Sequence, residues 1–165
     1  MILAIDTNIL LDILIPNTTH VQSSLSCLMS IGSNDELIIS EVVFAELGSQ
    51  FLSFQDLRRF LNDTGVRLMP SNENSLFEAS SAWKIYTARK KGMAICSACG
   101  NHQKAVCLAC NEAIPYRQHI LSDFLIGAHA KIQADKLITR DRGFYRTYFR
   151  DLNILSPKQN REGIL

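Results

Sequence analysis

The sequence predicts an α/β protein organised on a central, mainly parallel sheet, and three observations lead there. Short apolar-rich runs at 2–5, 37–39, 66–69 and 136–138 read as strands, the first of them continuously apolar and too short for a helix. Stretches with a 3.6-residue apolar period separate them, which is the pattern of βαβ units. An acid lies just past two of the runs, Asp6 directly after the first and Asp141 three residues after the last. In an open α/β sheet the carboxyl edge of the strands is where ligands bind.

Taken in order, Ile2 to Ile5 read as a buried strand, and Thr7 or Asn8 can cap the helix that runs from Asn8 to Leu14. Pro16 to Thr19 is a loop, and Thr18 or Thr19 can cap a helix to about Ile31 with Val21, Leu25, Leu28 and Met29 on its apolar side. Gly32 to Asp35 breaks that helix before the strand Leu37–Ile39. Ser40 caps the next helix, which turns Val43, Phe44, Leu47 and Phe51 inward and carries Glu46 beside that stripe. Ser53 opens a helix to Leu61, Asn62 to Gly65 turn, and Val66 to Met69 form the third strand. A long helix follows through Leu76, Phe77, Ala79, Ala82, Trp83 and Tyr86, and it ends with cations and then Gly92. Helical periodicity resumes at His119, with Leu121, Phe124, Leu125, Ala128 and Ile132 as its stripe. Lys136 to Ile138 is the fourth strand and Asn153 to Leu155 a small fifth. The helix faces at Leu25–Leu28 and at Phe51, Phe54 and Leu57 read as core rather than interface.

The 165 residues suffice for one packed domain, here 1–156, interrupted by an insert at 93–117 and followed by a tail at 157–165. Apolar residues are 47% and charged residues 20%, an ordinary globular balance. No apolar run approaches the roughly 18 residues of a membrane span. The start goes straight into a strand without a signal-peptide pattern, so the expected location is the cytoplasm. A net charge of +1 implies no bulk attraction to nucleic acid, although Lys131, Lys136, Arg140, Arg142, Arg146 and Arg150 make the last third locally basic.

The insert holds Cys96, Cys99, Cys107 and Cys110 as two CxxC pairs. In a cytoplasmic chain that spacing favours a tetrahedral structural Zn²⁺ over disulfides, so a small zinc ribbon is expected. Gly100 and Asn111, one after each pair, suit the turns by which a backbone wraps a metal. The ribbon would either extend an RNA-binding surface or serve as a protein-docking knob.

Right-handed crossovers put every strand's carboxyl end on one edge, where Asp6, Glu46, Asp123 and Asp141 could converge. Carboxylates packed together repel one another unless a cation is present. Mg²⁺ or Mn²⁺ takes such oxygen ligands, and the site can then activate water and shield a phosphodiester. Each acid alone is better explained as a cap or a solvated charge.

In combination and in order, the motifs resemble a known family. Ile5-Asp6-Thr7-Asn8, then Ser40-Glu41-Val42-Val43-Phe44-Ala45-Glu46, then Ser122-Asp123 through Gly127-Ala128-His129-Ala130, then Thr139-Arg140-Asp141-Arg142-Gly143-Phe144 look like the successive motifs of PIN domains, in particular the ribonuclease toxins of VapC type. The resemblance covers residues 1 to about 156 apart from the cysteine segment, which departs from the family pattern. It implies a Rossmann-like α/β/α sandwich and metal-dependent cleavage of RNA. Asp6, Glu46, Asp123 and Asp141 become the metal-binding acids, with Asn8 and Thr139 as supporting polar residues or merely caps. An antitoxin partner and a homodimer are implied by the same likeness. Arg140 and Arg142 flank Asp141 and could meet RNA phosphates, or could be ordinary surface. Gly127, one turn after Asp123, leaves room for a neighbouring backbone or a substrate. His119 and His129 are not expected to bind a hard cation. The competing readings are a non-catalytic RNA- or protein-binding module and, less favoured without a long basic tract, a flap-type DNA nuclease.

Overall fold

The structure, a computed structural model, describes residues 1–15, 19–89, 93–95, 102–104, 106–112 and 120–158. In chain order the elements are β1 (Ile2–Ile5), α1 (Thr7–Leu14), α2 (Val21–Met29), β2 (Glu36–Ile39), α3 (Glu41–Gly48), α4 (Phe54–Asp63), β3 (Val66–Leu68), α5 (Glu73–Arg89), β4 (Met93–Ile95), β5 (His102–Lys104), α6 (Leu121–Gln133), β6 (Lys136–Ile138), α7 (Arg142–Tyr148) and β7 (Ile154–Leu155). β1, β2, β3, β6 and β7 form one five-stranded sheet in the order β3-β2-β1-β6-β7. Every pairing in it is parallel. β4 and β5 pair antiparallel as a separate two-stranded ribbon within the insert.

The strand order places a switch point. The chain leaves β1 for β2 and β3 on one flank, then returns to lay β6 against the other side of β1. At such a reversal the connections diverge and open a crevice at the carboxyl edge. The register sets Ile5 beside Ile138, so Asp6 and Thr139 emerge together, and the Asp6 amide donates to the Ile138 carbonyl at 3.0 Å.

The core explains the strand assignments. Leu3, Ala4, Ile5, Ile38, Ile39, Leu137 and Ile138 are all buried, as expected of strands covered on both faces. α6 lies at the centre of one helical layer, with Phe124, Ile126, Gly127, Ala128, His129 and Ala130 buried. Phe124 stacks edge-on or tilted against Trp83, Tyr86, Phe144, Tyr148 and Phe149, an aromatic cluster that joins α5, α6 and α7. Apolar burial of this kind stabilises by about 25 cal/mol per Å² and dominates the fold.

Several expectations shift. α1 starts at Thr7, so Thr7 and Asn8 lie inside the helix and Asp6 holds the cap position. α2 starts at Val21 after His20 rather than after a threonine, and Thr18 lies outside the described residues. Its buried residues are Ser24 and Cys27, while Met29 is exposed. Of the α6 stripe, Phe124 and Ala128 are buried while Leu121 and Ile132 are exposed, and Ile126 and Ala130 are buried beside them. Phe54 stands exposed beneath the Arg58 guanidinium instead of joining the core. Ser40 and Ser53 cap α3 and α4 as read, accepting from the amides of Val43 and Asp56. Gly127 makes room for a side chain, not for backbone or substrate: a Cβ there would lie 2.4 Å from the Phe149 ring. Among the described residues, no helix is long and apolar enough to cross a membrane.

Candidate functional site

Asp6 occupies the cap position of α1 in extended conformation, yet its side chain makes no capping bond. An aspartate there normally accepts from the helix amides. This one turns across the switch point instead. Its Oδ2 accepts from the Thr139 hydroxyl at 2.6 Å and from the Asn8 amide at 2.5 Å. The Tyr145 phenol, buried on α7, also hydrogen-bonds the carboxylate. Asp6 is 6% exposed and Thr139 is fully buried.

Thr139 organises the centre. While donating to Asp6, its oxygen accepts from the Asn8 amide at 3.2 Å and from the Asp141 backbone amide at 3.0 Å. Asn8 in turn accepts from the Arg140 backbone amide at 3.3 Å. The ends of β1 and β6 are thus tied by side chains as well as by the sheet.

The other acids surround this network at increasing exposure. Glu46, half-buried on α3, accepts from the Thr7 hydroxyl across the α1–α3 contact. Asp123, half-buried in the first turn of α6, accepts from the Ile120 amide at 3.1 Å. Asp141 is exposed and caps α7 by accepting from the Phe144 amide at 3.1 Å.

Burial raises the Asp6 carboxyl from 3.8 to about 6. The Thr139 and Tyr145 bonds hold it down, and the charges of Asp123 and Glu46 push it up. The Tyr145 phenol is raised as well, first by burial and then by Asp6, Asp123 and Asp141. It therefore remains a donor at neutral pH. Asp123 and Glu46 thus lie within electrostatic range of Asp6, and Asp123 and Asp141 within range of Tyr145.

The donor chemistry fits a hard dication: carboxylates supported by hydroxyl and amide groups, without thiol or imidazole. His129 is buried and engaged with the Met69 carbonyl at 2.8 Å, away from this duty. As the side chains stand, no group of three or more acids, histidines or cysteines among the described residues is drawn into coordination geometry. Asp123 and Asp141 are engaged in bonds at helix starts and Glu46 in its bond with Thr7. A carboxylate has lone pairs beyond those a cap uses.

Three contributors were not singled out in the sequence. Thr7 reads only as a cap, and Tyr145 and Asp12 carry no reading of their own in the sequence. Asp12 is in fact buried on α1, where it accepts from the Ser24 hydroxyl at 2.6 Å and pairs with Arg140 Nε at 2.9 Å. Its only sequence signal was an acid set among leucines and isoleucines in a short amphipathic helix.

Cys107 and Cys110 lie in the described part of the insert and form no disulfide; Cys96 and Cys99 lie outside the described residues. Backbone amides of Ala109 and Cys110, and the Cys110 side chain, hydrogen-bond the Cys107 sulfur and lower its thiol pKa. Asn111 closes the turn in the left-handed region at φ 59°.

A family model described as the PIN domain matches residues 3–150. The fold resembles a solved structure of VapBC2 from Rickettsia felis bound to a promoter DNA fragment, with a TM-score of 0.60, 18% identity, and coverage of 96% of this chain and 100% of that one. It also resembles VapBC-1 from nontypeable Haemophilus influenzae, with a TM-score of 0.57, 20% identity, and coverage of 94% and 98%. For FitAcB from Neisseria gonorrhoeae the values are 0.58, 18%, 95% and 98%. Comparison with curated proteins gave no match.

Proposed function

The chain belongs to the PIN-domain family, whose members are typically nucleases, and from that premise we propose that it is a Mg²⁺- or Mn²⁺-dependent endoribonuclease. The observation that carries this reading is the unused cap at Asp6. A buried acid that declines its own helix and is held by Thr139, Asn8 and Tyr145 has no packing purpose. Asp6, Glu46, Asp123 and Asp141 would hold the cation. Bound Mg²⁺ or Mn²⁺ would supply Lewis-acid activation of water and neutralise phosphate charge.

The chain's own residues do the rest. Thr139 and Asn8 fix the Asp6 carboxylate in one orientation, which spares reorganisation when ligand arrives. Tyr145 supplies a third donor that keeps Asp6 ionised more readily than its burial alone would allow. Arg140 and Arg142 meet RNA phosphates beside the acids, with bidentate geometry available to each guanidinium.

The VapBC and FitAcB likenesses support a toxin-like role with an antitoxin partner, and homodimerisation belongs to the same proposal. Cys107 and Cys110, with amides aimed at sulfur and a left-handed Asn111, would form one knuckle of a structural Zn²⁺ site completed by Cys96 and Cys99.

The test is cleavage of an RNA pool by the wild type and by Asp6→Asn, with Mn²⁺ or with EDTA, followed by sequencing of the ends. Cuts that require both Mn²⁺ and Asp6 support the reading. Unchanged RNA with the metal-loaded wild type, together with no stabilisation by Mn²⁺ beyond that of salt, would favour the non-catalytic RNA- or protein-binding module.

A further inference from the structure

Beside the acidic centre lies an open cavity of about 460 Å³. His20, Ser23, Arg140, Arg142, Ser156 and Lys158 contribute to its wall. Among the described residues, three cations line it and no acid does. We propose that this cavity is a subsite for a backbone phosphate of the RNA strand, next to the one that is cut. The proposal rests on the endoribonuclease reading and names how that site would grip its substrate.

Three features argue that the cavity is built for an anion. Arg140 is not a loose surface arginine. Its Nε pairs with the buried Asp12, which Ser24 also holds, so α1, α2 and the end of β6 jointly fix the guanidinium. Pairing through Nε orients the planar group and leaves its Nη edge as the one suited to a phosphate. His20 brings a buried Nδ1 that has no hydrogen-bond partner among the described residues. A buried polar atom without a partner is unusual, and an anion in the cavity would answer it after a modest turn of the ring. Ser156, whose hydroxyl donates to the Thr139 carbonyl at 2.8 Å, anchors the segment carrying Lys158 to the β6 end.

The location follows from the chain. Arg140 and Arg142 bracket Asp141, and the Arg140 amide donates to Asn8 of the Asp6 network. One strand of RNA can therefore place one phosphate at the acids and an adjoining one in the cavity. Asp12 is a positioning residue for Arg140 and need not touch RNA.

The experiment measures binding without cleavage. Fluorescence anisotropy of a labelled single-stranded RNA 12-mer is followed in EDTA over a salt series, for the wild type, Lys158→Gln and Arg142→Gln. Both substitutions are at exposed positions, so folding is preserved. Arg59→Gln on α4, at the β3 flank of the sheet, is the control. Each cavity substitution is expected to weaken binding about tenfold. It should also flatten the slope of log affinity against log salt by about 0.7, the loss of one single-strand phosphate contact. Replacing the RNA phosphates one at a time by uncharged methylphosphonate should reveal one linkage that matters to the wild type and not to Lys158→Gln. Wild-type affinity and slope in both variants would overturn the subsite, as would an equal loss at every linkage, which is the mark of a diffuse field. Binding through the cavity without cutting in Mn²⁺ would sink the nuclease reading and leave the subsite standing. Cutting with unaltered affinity in the variants would do the reverse.

Discussion

Asp6→Asn should make the metal-free protein more stable at neutral pH. A carboxyl whose folded pKa lies above its unfolded value binds its proton more tightly when folded. The stability it contributes is fully present below the ordinary 3.8 and is lost as pH rises through about 6. At about 1.4 kcal/mol per pH unit, that rise corresponds to about 3 kcal/mol of strain carried by the ionised form above pH 6. The group is 6% exposed, so solvent screening relieves little of it. Asparagine keeps the shape and an acceptor for the Thr139 hydroxyl while removing the charge. For a chain of this size the melting temperature at pH 8 in EDTA should rise by roughly 6–12 °C, and near pH 4 the two proteins should converge. Mn²⁺ should raise the melting temperature of the wild type and not of the variant. Differential scanning fluorimetry from pH 4 to 8, with EDTA and with Mn²⁺, reads all of this. Melting curves of the two proteins that run parallel across pH would refute the placement of a strained, cation-seeking charge at Asp6.

Asp123→Asn should abolish Mn²⁺-dependent RNA cleavage on a gel while the circular dichroism spectrum stays native, because its cap acceptor survives. Tyr145→Phe deletes one donor to Asp6, worth about 1 kcal/mol, so the acid limb of the pH–rate profile should move up by roughly 0.7 of a pH unit. Gly127→Ala drives a methyl to within 2.4 Å of the buried Phe149 ring and should destabilise by about 1–3 kcal/mol, read as a lower urea midpoint. Cys110→Ser should reduce bound zinc measured by elemental analysis from one equivalent toward none if the knuckle is half of a metal site.

The centre of the sheet was legible because β1 and the ends of β2 and β6 are buried. Ile2 to Ile5 and Lys136 to Ile138 stand where the apolar runs put them, and Leu37–Ile39 gains only Glu36. Helix faces were less legible. In α2 a stripe of Leu25, Leu28 and Met29 was outvoted by Ser24 and Cys27, because Ser24 satisfies a buried acid that periodicity does not see. At the site, local sequence showed which acids follow strands. It did not show that Asp6 would refuse its own helix, since that depends on Thr139, 133 residues away, arriving in register. Tyr145 was hidden for a similar reason. It lies between Phe144 and Tyr148 in a run of aromatics whose other members are packing, and only the crossing of α7 over the switch point turns its hydroxyl toward Asp6.

The way the acids are stored bears on how a cation would be received. Four carboxylates at one mouth would repel one another severely if all pointed inward. The fold sets two of them at helix starts: Asp123 accepts from the amide of Ile120, the cap residue of α6, and Asp141 from the Phe144 amide in the first turn of α7. Helix N-termini favour negative charge by about 0.3–1 kcal/mol, so each of these two is partly compensated without metal. Glu46 leans on the Thr7 hydroxyl. Asp6 is the most buried of the four, and burial raises its pKa. On this arrangement ion entry should be felt first at Asp6, with small rotations of the capped acids afterwards. Mn²⁺ affinity should then fall steeply as pH drops below about 6, and it should depend far more on Asp6 than on Asp141. Equal losses of Mn²⁺ affinity in Asp6→Asn and Asp141→Asn, measured by calorimetry at pH 7.5, would contradict that order.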